Sequence, residues 1–174
     1  MTATDEQGLA GMSKHVIEVA RFINRSPESV YTLLTDHPRL DQFQELSDSV
    51  LLRPGQASAH GKGAERRVTI WMFGRLPVRF TEDITLAEEP CEFHYLVSKA
   101  HIMLGRLPLW SGVKHHGGEV KVLVENGGCQ VHWKSTIEIV VPLVGAWLGE
   151  KMRVEGERVF LSVLNQVDQH LLPT

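Results

Sequence analysis

Cysteine is scarce. The 174-residue chain holds only Cys91 and Cys129, in neither a CxxC nor a metal-ligand spacing. That excludes a disulfide scaffold and a zinc module, and leaves two buried or half-buried free thiols as the expectation. A dominant charge is missing too: 18 Lys and Arg against 21 Asp and Glu give a net charge of −3, mixed along the chain. No nucleic-acid partner is expected without a basic footprint. No apolar run approaches the ~20 residues of a membrane-crossing helix. Residues 1–11 lack the basic start and apolar stretch of a signal peptide. Residues 1–13 therefore read as a disordered leader, 14–174 as one domain, and the protein as cytoplasmic with no integral membrane contact. Catalytic signatures are equally sparse. There is no HExxH or HxH, no carboxylate cluster and no GxSxG elbow, and Gly61-Lys62-Gly63 precedes a strand as a turn. Neither a metal nor a cofactor is implied.

What is present is an ordered run of local signals. Lys14 to Asn24 is β-branched and partly alternating, a strand. Ser26-Pro27-Glu28 is a helix start, with Ser26 as cap and Pro27 at the first position. Asp36-His37-Pro38 ends that helix and opens a second short one, Arg39 to about Glu45. Strands follow over 50–53, 64–73, 76–87, 91–99, 118–125 and 130–140, the last two joined by Asn126-Gly127-Gly128. After Pro142 a helical pattern runs to the end. Phe160, Val163, Leu164, Val167 and Leu171 form one stripe, while Gly145, Gly149 and Gly156 predict a bent or frayed first half. Strands segregated from helices argue for an α+β fold with an antiparallel sheet.

Parity along each strand separates the two faces of the sheet. Val131, Trp133, Ser135, Ile137 and Ile139 share one face with Val120, Val122 and Val124 and with Phe93, Tyr95 and Val97. His94 and His132 point outward, and His115 and His116 to opposite sides. Counting outward from Gly74 pairs Met72 with Leu76, Ile70 with Val78, Val68 with Phe80, and Arg66 with Glu82. The opposite parity, Glu65, Arg67, Thr69, Arg79, Thr81 and Asp83, faces solvent. Arg66 and Glu82 are thus opposite charges aimed inward beside an apolar wall. Desolvating them costs several kcal/mol per ion, so the pair is either a rim bridge open to water or the polar anchor of a ligand cavity.

Taken in order, several segments resemble the START/Bet v 1-like (SRPBCC) superfamily, and within it the bacterial polyketide cyclase/dehydrase-like group. They are residues 23–31, Gly61 to Arg67, Phe80 to Ile84, His116 to Val120 and Gly127 to Trp133. The resemblance spans roughly 15–170. It implies a helix-grip fold, a curved seven-stranded antiparallel sheet wrapped on a long C-terminal helix, with two short helices and an enclosed cavity. It also implies a hydrophobic ligand of the lipid, sterol, quinone or polyketide kind, with cyclisation or dehydration in some members. One stretch departs from the pattern: 100–113 is apolar and looks longer than the usual connection. It is either a lid, partner surface or membrane-touching tip, or a segment packed on the sheet end.

The expected ligand-binding residues are Arg66, Val68, Ile70, Phe80, Glu82, Phe93, Tyr95, Val122, Trp133, Ser135, Ile137, Phe160, Val163 and Leu164. Glu82, Arg66, Tyr95 and His116 are the catalytic candidates, with core packing or a surface position as the plainer role of Tyr95 and His116. The reading is a carrier or binding protein for a small hydrophobic molecule. The alternatives are a cyclase or dehydratase working through Glu82 and Arg66, and a homodimeric interaction module using the 100–113 loop or the outward Trp71 and Phe73.

Overall fold

Ser26 starts the first helix as its position predicts: its hydroxyl accepts the Ser29 N–H at 3.3 Å, with Pro27 in the first turn. A cap of this kind contributes about 1 kcal/mol. The computed structural model describes residues 14–171, so the expected leader lies outside the described residues. Within them the order is β1 (Lys14–Ile23), α1 (Pro27–Thr35), a 3₁₀ helix (His37–Gln42), β2 (Leu46–Arg53), β3 (Glu65–Met72) and β4 (Leu76–Glu88). Then come β5 (Glu92–Leu104), β6 (Leu107–Trp110), β7 (Val113–Glu125), β8 (Gly128–Ile139) and α2 (Gly145–His170). The sheet runs β1-β8-β7-β5-β4-β3-β2, with β6 added on β5. All pairings are antiparallel. This is the helix-grip arrangement.

The β3–β4 hairpin has the register that counting from Gly74 gives, from Met72↔Leu76 to Arg66↔Glu82. Phe73 and Gly74 both take positive φ, 51° and 72°, which suits the right-handed twist of the strands they join. The stripe Val159, Phe160, Val163, Leu164 and Val167 is buried against the concave face, and α2 runs unbroken from Gly145 to His170. The expected fraying is absent. A Cβ on Gly149 would collide with the His15 ring, and one on Gly156 with Ile17. These glycines let the helix lie close on β1 instead of weakening it.

Four further expectations are corrected. The second short helix is a 3₁₀ turn over His37–Gln42, because the chain is already extended by Leu46 and Trp71 N–H bonds Glu45 O at 2.9 Å. The 100–113 stretch is not a loop: β5 continues to Leu104 and turns at Gly105-Arg106 into β6, an eighth strand. Val124 is 81% exposed; it lies in the last pair but one of the β7–β8 hairpin. On the outer face Thr69 and Thr81 are buried rather than solvated, Thr69 donating to Asp48 at 3.4 Å. Cys129 is buried and Cys91 exposed, both free.

Candidate functional site

Between the sheet and α2 lies a cavity of about 100 Å³, walled almost wholly by apolar side chains. Of the expected ligand contacts, Arg66, Val68, Ile70, Phe80, Glu82, Phe93, Tyr95, Trp133, Ser135, Ile137, Phe160 and Val163 line it. Val122 and Leu164 are buried but lie outside the lining. The wall is completed by residues that strand parity did not select, among them Ile17, Leu34, Leu40, Val113, Met152 and Val159. Ligand pockets commonly enclose ~300–1,000 Å³, so this one is narrow. The Trp133 ring forms part of its wall, stacked on Phe160 at 4.1 Å and 11°.

Two polar chains enter this apolar space. In the first, Arg66 Nε donates to Glu82 Oε2 at 2.6 Å, with both side chains under a tenth exposed. Arg66 Nη1 lies 2.6 Å from His37 Nε2. A guanidinium only donates, so His37 Nε2 accepts and its proton is on Nδ1. That proton is donated to His60 Nδ1, 3.0 Å away, which places the His60 proton on Nε2, 4.0 Å from Asp36 Oδ1. Burial, then the Arg66 charge, then His60 push the His37 pKa down to about 2. The guanidinium also lies 5.5 Å from the Phe93 ring centre and 5.6 Å from that of Tyr95, where ring faces attract a cation.

In the second chain, Val97 N–H donates to His115 Nδ1 at 3.0 Å. The proton of His115 is therefore on Nε2, which donates to Ser135 Oγ at 2.9 Å. Burial, with His116 beside it, lowers the His115 pKa to about 4. The His115 ring stacks on Tyr95 at 5.4 Å, and Tyr95 Oη accepts from Trp133 Nε1 at 2.9 Å. Burial, then Glu82, push the Tyr95 hydroxyl up to about 12, so it is a neutral donor. Ser135 is a second hydrogen-bond partner of that hydroxyl, and among the described residues none donates to Glu82 Oε1.

His116 is the one catalytic candidate outside the cavity. It lies on the outer face, Nε2 2.6 Å from Glu138 Oε2, in a polar hollow with His94 and Lys134. Its neighbour His115 points inward because β7 shifts register between His115 and Gly117. Sequence reasoning missed His37, His60 and His115. His37 and His60 lie in a 3₁₀ turn and a loop, where no period assigns a face. Strand alternation sets His115 opposite in direction to His116, and only the bulge decides which is inside.

Both neutral histidines imply an acid limit. Their folded pKa values lie below the ordinary 6.5, so the unfolded chain takes up protons first. Their contribution is complete above pH 6.5 and lost as pH falls. The slope from the pair reaches about 1.4 kcal/mol per pH unit for each between pH 6.5 and about 4, and only His37 continues below that. Urea unfolding across this window should show the slope and should flatten in His115→Gln. An identical profile in that variant would remove His115 from the account.

A family model described as "Polyketide cyclase / dehydrase and lipid transport" matches residues 14–166. The chain belongs to this family. The fold recurs in solved structures at low identity. TTHA0849 from Thermus thermophilus has a TM-score of 0.71 and 18% identity, over 89% of this chain and 95% of that one. A START superfamily protein from Mycobacterium smegmatis gives 0.64 and 12%, over 92% and 99%. The di-domain ARO/CYC BexL from the BE-7585A biosynthetic pathway gives 0.71 and 12%, over 92% of this chain and 51% of that one. No curated protein matches the chain in sequence. Family membership thus rests on the matched model, and the likeness to these structures carries the fold alone.

Proposed function

We propose that the protein binds a small hydrophobic molecule, of the lipid, quinone or polyketide kind, between the sheet and α2. The observation that carries this is the Arg66–Glu82 pair, buried within a mostly apolar cavity and fixed from outside by His37. Apolar walls supply affinity at about 25 cal/mol per Å² of ligand surface buried, before ordering costs. Glu82 Oε1 as acceptor and the Tyr95 O–H as donor set the orientation of the ligand's polar end. The family description, which covers both lipid transport and cyclase or dehydrase members, supports the same reading. Native mass spectrometry of protein purified from its own cells is expected to show one co-purifying hydrophobic compound. An apo mass that takes up no lipid, quinone or polyketide when these are added would overturn the proposal.

A cyclase or dehydratase is the second reading, favoured by one arrangement. A carboxylate and a phenol held neutral by burial line one mostly apolar cavity, as a base and a hydrogen-bond donor for a carbonyl substrate would. Glu82→Gln separates the two readings. The amide oxygen still accepts from Arg66 while the base is gone, so a carrier retains its ligand and an enzyme retains binding but loses turnover.

A further inference from the structure

We propose that the β5–β6 arm and the adjoining 141–147 segment dock the protein on an anionic membrane surface. Strand β6 is exposed and apolar on both sides, while Met103 of the adjoining β5 is buried. All four residues of β6, Leu107, Pro108, Leu109 and Trp110, are exposed, and neighbouring residues of a strand point to opposite faces. Leu104 and Leu107 at its tip are 67% and 58% exposed, and Trp110 at its base 68%.

The base of the arm adjoins a second apolar projection. Val140 N–H bonds Gly112 O at 2.8 Å, and Gly112 lies against both Val141 and the Trp110 ring. Just beyond, Leu143 is 100% exposed and Trp147 65%. The cavity-lining Met152 is five residues further along α2, about 7 Å of helix rise from Trp147. The patch therefore borders the end of the helix that roofs the cavity.

Charge selects the partner. The chain as a whole carries −3, yet 93–118 contains no Asp or Glu, and 139–149 no charged residue at all. Lys99, Arg106 and Lys114 lie in the first stretch, and Lys151 stands 6.0 Å from the Trp147 ring centre. All four are exposed, and among the described residues none of them has an ion pair. The charges on the arm itself, Lys99 and Arg106, are both basic; such a surface repels a second copy of itself across a two-fold interface, and a flat protein partner covers one side of a projecting arm. A lipid headgroup layer surrounds both sides, accommodates Trp at its boundary and attracts each Lys or Arg when anionic. The free backbone edge of β6 limits insertion to that boundary, because unpaired N–H and C=O groups are costly in hydrocarbon.

The test is flotation of the full chain with vesicles of phosphatidylcholine plus phosphatidylglycerol, and with phosphatidylcholine alone. Binding is expected only with the anionic vesicles and should fall as salt rises. Arg106→Glu at the exposed tip should weaken it on the order of tenfold. Trp110→Ser with Trp147→Ser should abolish it while circular dichroism stays unchanged. Should that double variant misfold, Arg106→Glu alone decides. Wild-type protein that does not float with anionic vesicles, or an Arg106→Glu variant that floats as well as wild type, overturns the proposal. So does a dimer in light scattering that Trp110→Ser dissociates, since the occupant would then be a second copy. A single lipid taken into the cavity does not tie the protein to a vesicle, so failure to float leaves the proposed ligand binding untouched.

Discussion

Arg66→Met should cost about 3–5 kcal/mol in urea unfolding at neutral pH, the usual range for removing one partner of a buried pair. The loss comes less from the missing attraction than from what stays behind. Glu82 would keep its place in an apolar wall with no counter-charge, and His37 Nε2 would accept nothing. The double variant Arg66→Met with Glu82→Leu should recover most of the loss, since well-packed apolar residues can replace a buried ion pair at little cost. Recovery of stability without recovery of ligand would identify the pair as an anchor for the ligand rather than a strut. If the single change costs under about 1 kcal/mol, water reaches the pair, and the rim-bridge reading of the sequence is correct.

Trp133→Ala should have the next largest effect, and in two opposite directions. Stability should fall by about 3 kcal/mol, at the low end for a large aromatic truncated in a core because the ring is only partly buried. Phe160 loses its stacking partner and Tyr95 Oη its donor. The space vacated adjoins a cavity of only about 100 Å³, so a bulky apolar probe such as anilinonaphthalene sulfonate should bind the variant better than the parent. Stability lost with no gain in probe binding would mean that the site collapses. Probe binding equal in both proteins would mean that the indole already swings aside in the parent, making it a door rather than a filler.

Much of the architecture could be read from the sequence because its signals are local. The β3–β4 register follows from equal steps about Gly74, and no bulge interrupts Glu65 to Met72. The inward Arg66 and Glu82 came with it. Where the backbone departs from regular alternation, parity stops informing. His115 and His116 straddle a register shift, and His37 and His60 meet across a 3₁₀ turn and a loop. The eighth strand was hidden by Gly105 and Pro108, which punctuate a segment rich in Leu like a loop. Gly149 and Gly156 read as weak helix formers in the sequence because helix propensity is a property of one segment, whereas their role is set by His15 and Ile17 on a distant strand.

The position of β1 at the sheet edge beside β8 has a consequence for how the chain comes to be folded. Lys14 pairs with Glu138 and Ile23 with Cys129, so the first strand of this domain waits for its last. Until residues 128–139 emerge, β1 has no neighbour in the sheet, and α2, the element that covers its apolar side, is later still. Contacts this distant in sequence make folding slow and leave an unpaired strand open to aggregation meanwhile. Lys14, Glu18 and Arg21, all exposed along β1, are charges of the kind that discourage one unpaired strand from joining another. A chain stalled before β8 would carry a strand with nowhere to go.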